Sequence, residues 1–161
     1  MRRPTIALLA FIAIMSLAIV GCSDDADEPE GLVRQDDAMA VTVEHIDALN
    51  ACDVDRLMAQ YPDSIHIVLP GGATTEGRDD VRALFEGFCL PFPDGLNGLT
   101  FTEVKSWQVE DTINMQWSAD ACFLDEPYLG ADAYESSDGL MAAQVTTFDG
   151  AELVMNDGSG C

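Results

Sequence analysis

The sequence is poor in positive charge. It holds one lysine and six arginines against 29 aspartates and glutamates, a formal net charge of −22 over 161 residues. So acidic a surface repels phosphate backbones and anionic lipid head groups, which argues against nucleic-acid binding and against membrane adhesion by charge. Histidine is scarce, with only His45 and His66, and no two of the five cysteines have C-x-x-C spacing. Those shortages argue against a zinc site, and no metal or cofactor is expected. No apolar run reaches the ~20 residues of a membrane-spanning helix. No internal repeat occurs.

What is present begins with a processing signal. Arg2 and Arg3 precede an apolar run over residues 6–20, which ends in Ile19-Val20-Gly21-Cys22. A secretory signal ends in small residues before its cleavage point. Here a cysteine takes the place of the new N-terminus, as in a bacterial lipobox. The expected product loses residues 1–21 and carries a diacylglyceryl thioether on Cys22. Two or more acyl chains give stable anchoring to a membrane. The expected location is the bacterial cell envelope, lipid-anchored and outside the cytoplasm. The remaining 140 residues keep all 29 acids and five of the seven bases, a formal charge of −24. That length suits one domain. The acids are scattered rather than clustered, which fits a solvated coat better than a docking face for a cation. Residues 22–34 are acidic and lack apolar periodicity, so they read as a flexible tether.

The domain proper spans 35–150, with a tail of turn composition over 151–161. Residues 35–50 read as a helix whose stripe is Met39, Val43, Ile46 and Leu49 or Asn50, with His45 beside it. Asp53 is a good N-cap for a second helix, where Val54, Leu57, Met58 and Tyr61 form the buried face. Residues 64–69 read as a strand: Ile65, Ile67 and Leu69 point one way, His66 and Val68 the other. Pro70-Gly71-Gly72 turns the chain into a short return strand. A third helix follows, with Asp79 and Asp80 in its first turn, where the helix dipole favours negative charge. The rest reads as β: strands over 99–109, 112–123, 132–135 and 140–148. Phe101, Trp107 and Val109 are expected on one side of the first of these. Both sides of the last are largely apolar, so both are expected to be covered.

Four cysteines remain after Cys22, in a compartment that permits disulfides. Four allow three pairings. If strands 99–109 and 112–123 form a hairpin, Cys122 lies near the start of the first strand, a loop away from Cys89. That geometry favours Cys89–Cys122 and leaves Cys52–Cys161.

The stretch from Asn50 to Tyr61, the helix start Glu76-Gly77-Arg78 and the run YLGADAYESSDGLMAAQVTTF from Tyr128 to Phe148 together resemble the SnoaL-like branch of the nuclear transport factor 2-like superfamily. The resemblance implies an α+β cone: three N-terminal helices packed on a curved, mostly antiparallel sheet, with a pocket between the layers. It also implies a homodimer through the outer sheet face. Ketosteroid isomerases on this fold use an Asp base, a Tyr and a protonated Asp. By alignment on Asp53 and Pro70, the base position falls on Leu69, which cannot take a proton. The Tyr position falls on His45, and the protonated Asp on Asp132.

Three classes of function follow. The first is a module that binds a small apolar molecule in a pocket lined by Leu69, Trp117, Tyr134, Gln144, Thr146 and Phe148. The second is an isomerase- or cyclase-type enzyme using His45 and Asp132 as an acid/base pair. A third option is a non-catalytic dimeric envelope module whose pocket is packed shut by aromatic rings. The plainer reading of His45 is a helix histidine bonded to a backbone carbonyl. For Asp132 it is a carboxylate held by loop amides or by Tyr134.

Overall fold

Asp37 starts the first helix, its side chain accepting the amide hydrogen of Ala40 at 2.8 Å. Helix α1 then runs Ala38–Asn50 and α2 runs Val54–Met58, capped by the Asp53 carboxylate on the Arg56 amide at 3.0 Å. The computed structural model describes residues 29–161; the signal segment, Cys22 and most of the tether lie outside the described residues. The described end of the tether is tied down, Val33 N–H donating to Ala59 O and Gln35 N–H to Gly139 O. Strand β1 is His66–Val68, β2 is Thr74–Glu76 and α3 is Arg78–Phe88. Four longer strands follow: β3 (Thr100–Val109), β4 (Thr112–Asp120), β5 (Tyr128–Ser137) and β6 (Leu140–Thr146).

They form one six-stranded sheet in the order β2-β1-β6-β5-β4-β3. The pairing is antiparallel except between β1 and β6, where the chain that leads into α3 lies beside the last strand. The helices cover one face of this sheet, and the core between them is built on Leu57, Tyr61, Ile67, Val81, Met115 and Trp117. The fold is thus the expected α+β arrangement, with one mixed sheet that is mostly antiparallel.

The Glu76-Gly77-Arg78 start of α3 has a mechanical role. Gly77 takes φ +80°, a left-handed value that favours glycine. The turn sends the Arg78 guanidinium back to the end of α2, where it donates to the carbonyls of Met58, at 2.8 Å, and of Tyr61. The Tyr61 carbonyl, which no amide among the described residues reaches, is satisfied in this way, and the Met58 carbonyl gains a donor beside the Tyr61 amide at 3.4 Å.

Four expectations need correction. The buried face of α1 is Ala38, Val41, Thr42, His45, Ala48 and Leu49, while Val43 is 47% exposed. Polar side chains enter because they bring partners: Thr42 O–H donates to Ala38 O at 3.0 Å, and His45 Nδ1 meets the Tyr61 hydroxyl at 3.0 Å. In β3 the register shifts between Glu103 and Lys105, so Phe101 faces inward, whereas Trp107 and Val109 face outward and are 44% and 58% exposed. Strand β5 is ten residues long rather than four. Its Gly130 interrupts the sequence pattern, and it is a glycine because the Trp117 ring lies over it: an added Cβ would sit 2.3 Å from that ring.

The fourth correction concerns the cysteines. The bridges are Cys52–Cys89 and Cys122–Cys161, each with Cα atoms 5.4 Å apart, not Cys89–Cys122 and Cys52–Cys161. Cys52 sits in the turn between α1 and α2, and Cys89 caps the end of α3. Helix packing brings those two ends together. The residues after β6 return along the β4–β5 connection, with Asp125 N–H donating to Val154 O and Asn156 N–H to Phe123 O, both at 2.9 Å. That path delivers Cys161 to Cys122.

Candidate functional site

The inner face of the sheet and the flank of α3 do not close completely. Between them lies a cavity of about 360 Å³, toward the small end of the range for ligand pockets. The helical wall is Leu84, Phe85 and Phe88 of α3; the floor is Ile67 with Phe101, and the rim is Leu69, Pro70 and Phe148. One patch of the wall is polar, formed by Asp132, Tyr134, Gln144 and Thr146 from the paired strands β5 and β6. Asp132 lies opposite Thr146 in the ladder, and Tyr134 opposite Gln144. Period-2 alternation therefore turns all four side chains to the same face.

Asp132 is the centre of that patch. Its Oδ2 accepts from the Tyr134 hydroxyl at 2.9 Å and from Gln144 Nε2 at 3.1 Å; its Oδ1 accepts from the Thr147 amide at 3.3 Å. Burial pushes its pKa above the ordinary carboxylate value, and hydrogen bonds from Thr146, Trp117, Tyr134 and Gln144 work against that rise. The indole N–H of Trp117 nonetheless has no partner at full hydrogen-bond geometry among the described residues. Tyr134 is raised well above its usual value, first by burial and then by the neighbouring Asp132 charge.

Six of the eight residues singled out from the sequence line the cavity: Leu69, Asp132, Tyr134, Gln144, Thr146 and Phe148. His45 and Trp117 do not. Trp117 forms a layer beneath, with Phe101 edge-on at 5.1 Å and Phe148 at 6.1 Å between ring centroids. Its ring can lie that deep because Gly130 leaves room on the adjacent strand. His45 is fully buried behind the cavity wall, its ring 5.4 Å from that of Tyr134 and 6.1 Å from that of Phe85. Burial alone pushes its pKa down to about 4, so the imidazole is neutral at pH 7. Nδ1 meets the hydroxyl of Tyr61, and Nε2 has no partner among the described residues. His45 and Asp132 are thus joined only through Tyr134, which touches the first with its ring and the second with its hydroxyl. His66 lies on the other side of the sheet, exposed and 3.7 Å from Glu76.

Sequence reasoning missed the contribution of α3 to the cavity. Leu84, Phe85 and Phe88 carried the right signal, an apolar stripe at helical spacing, but that signal does not separate a face packed on core from one packed on a void. Among the described residues, no three His, Cys, Asp or Glu side chains converge to hold a metal ion. No described helix is long and apolar enough to cross a membrane.

Comparison with known proteins places this geometry. The SnoaL-like domain pattern matches residues 42–152. No curated protein matches by sequence. Among solved structures, an NTF2-like protein of unknown function from Burkholderia pseudomallei K96243 superposes with a TM-score of 0.61 at 15% identity, covering 71% of this chain and 92% of its own. SalBIII, an epoxide hydrolase/cyclase-like enzyme in pyran ring formation in the polyether salinomycin, gives 0.59 at 13% identity, over 74% and 95%. A computationally designed 17-OHP binder also gives 0.59, at 16% identity, over 74% and 96%. At such identities the structures speak for the fold alone. With the family pattern spanning most of the domain, the chain belongs to the SnoaL-like domain family, on an NTF2-like fold.

Proposed function

We propose that this chain is a membrane-anchored binding module that holds a small apolar molecule in the cavity between α3 and the sheet. The observation that carries the reading is the cavity itself: about 360 Å³, walled mainly by Leu, Ile and Phe side chains, with one internally hydrogen-bonded polar patch. Such a combination of apolar walls and a few placed polar groups suits a small-molecule site. A leucine at position 69 cannot take a proton where the ketosteroid isomerase base would stand, although the Asp149 carboxylate also lines the cavity. An acid/base pair of His45 and Asp132 lacks support of this kind, because the imidazole does not line the cavity. A module packed shut by its rings has no support either, since Trp117, Tyr134 and Phe148 leave the space open.

The anchor is the lipid on Cys22, and a homodimer through the outer sheet face completes the proposal. That face carries Val104, Trp107, Leu129 and Val145, each between 44% and 69% exposed. Native mass spectrometry of the full chain extracted from its own host tests the reading. A bound small molecule is expected on the wild type and is expected to be lost on Leu69→Trp, which fills the rim. Absence of any adduct, together with no uptake of added apolar probes, would overturn it. The same spectra report dimers, and palmitate labelling that disappears in Cys22→Ala reports the anchor.

A further inference from the structure

Asp132 is a carboxylate with hydrogen bonds but no counter-charge. It lines the cavity at 9% exposure, and the groups that donate to it, the Tyr134 hydroxyl, the Gln144 amide and the Thr147 amide, are all neutral. Asp149 is a second carboxylate on the cavity lining, next to Phe148 of the rim. It is half-buried, and its Oδ1 accepts from the Ala151 amide at 2.9 Å, again a neutral partner. The basic side chains that could answer these two acids stand elsewhere. Arg34 pairs with Asp138, Arg56 with Glu44, Arg78 with Asp63 and Arg82 with Asp55. Lys105 stands over the exposed Trp107 ring. No lysine, arginine or histidine lines the cavity.

Hydrogen bonds are therefore not what this space lacks; positive charge is. Acids of one sign set in low-dielectric walls focus their field into a cleft. That field needs no direct contact, so it acts on a guest anywhere in about 360 Å³. The walls also suit a soft cation. Phe88, Phe101 and Phe148 line the cavity with ring centroids 5.7 to 6.3 Å apart, and aromatic rings attract organic cations where aliphatic carbon does not.

We propose that the cavity selects an apolar organic monocation, of the quaternary ammonium class, over its neutral isostere and excludes anions. The inference rests on the binding-module reading and names the charge of the ligand. The cation needs no N–H of its own, because Asp132 already has its donors. An anion of the same shape would add a further negative charge where no positive one answers it. An uncharged guest fills the walls but leaves both carboxylates uncompensated. The scattered acids of the outer surface differ in kind, since water and salt screen them.

The test uses the disulfide-intact full-length chain in nanodiscs of zwitterionic lipid at about 0.15 M salt, which screens exposed charges more than buried ones. Empty nanodiscs are the reference for partitioning. Phenyltrimethylammonium and tert-butylbenzene share a shape and differ by one charge, and benzenesulfonate is the anion. The cation is expected to bind the wild type about tenfold more tightly than tert-butylbenzene, with benzenesulfonate weakest. Asp132→Asn is expected to weaken the cation about tenfold and Asp149→Asn about threefold, with tert-butylbenzene held within about twofold in both. Asp149→Asn keeps the test open should Asp132→Asn fold poorly. Asp36→Asn, at an exposed position, is the control and should leave every probe within about twofold. Neutral and cationic probes of equal affinity would overturn the charge inference and leave the binding module standing. Equal loss of cation affinity in Asp36→Asn and the cavity variants would assign the attraction to the whole surface and overturn it too. A cation preference that survives in both cavity variants would overturn the role of the two carboxylates. No binding by any of the three probes would overturn the binding module and this inference with it.

Discussion

Two buried polar regions meet on Tyr134, and they are built differently. On the helical side, His45 sits in dry core between Tyr61, Phe85 and Tyr134, with one hydrogen bond for its two ring nitrogens. On the sheet side, Asp132 faces a cavity and receives two side-chain donors and a backbone amide. Burial favours the neutral form of both. Only around Asp132 do hydrogen bonds resist it. The contrast separates a histidine used as packing from a carboxylate that organises a surface, although the family resemblance marks both as candidate acid/base groups.

The largest expected effect breaks the contrast through pH. His45 has a folded pKa of about 4 against an ordinary 6.5, so its contribution is fully present above pH 6.5 and is lost as pH falls from 6.5 to 4. Below 6.5 the unfolded chain binds a proton that the folded chain refuses, so stability falls with pH by about 3 kcal/mol in total. Urea unfolding of wild type and His45→Leu across pH 4–7 measures this directly. The wild type should lose about 3 kcal/mol more than the variant, and parallel curves would refute the assignment. Asp132 has the opposite sign. Its raised pKa lets the folded chain bind a proton earlier than the unfolded one, which adds stability as pH falls through its folded value toward 3.8.

A second test removes the organiser. Asp132→Ala leaves the Tyr134 hydroxyl and Gln144 Nε2 without an acceptor, and each is buried. A loss of about 2 kcal/mol is expected. Asp132→Asn retains one acceptor oxygen and should cost less than half as much. Equal stability of all three proteins by chemical denaturation would show that the wall holds itself without Asp132. The smallest effect sharpens the comparison. Tyr134→Phe keeps the ring contact with His45 but removes the donor to Asp132, so it should cost about 1 kcal/mol and leave the His45 pH window unchanged. A shift of that window would mean the two regions are electrostatically coupled through the hydroxyl.

The fold was legible where a local rule has a single solution. Asp53 caps α2 as its side-chain chemistry requires, Gly77 turns into α3, and the alternation of Ile65, Ile67 and Leu69 sets which side of β1 faces inward. The polar wall was legible in part: Gln144 and Thr146 share one parity of the last strand, whereas Asp132 was reached only through the family resemblance. The failures are non-local. The buried face of α1 is decided by Tyr61, sixteen positions away, which gives His45 its hydrogen bond. The extent of β5 depends on a tryptophan from β4 resting on Gly130. The disulfides depend on where the end of α3 and the returning tail come to lie. The emptiness of the cavity leaves no trace in a hydrophobic pattern, because a side chain that lines a void and one that fills it look alike.

The register shift in β3 has a consequence of its own. Together with β2, β3 forms an outer border of the sheet, and a long straight border offers unpaired amides and carbonyls to any passing strand. Ten residues of regular β would be such a template. The extra residue between Glu103 and Lys105 bends the strand and interrupts its repeat, and the only lysine of the chain stands at that bend. Two short segments cannot seed the stacking that one continuous strand could. The irregularity that spoiled the alternation of Phe101 and Trp107 thereby guards the open edge against chain-to-chain aggregation.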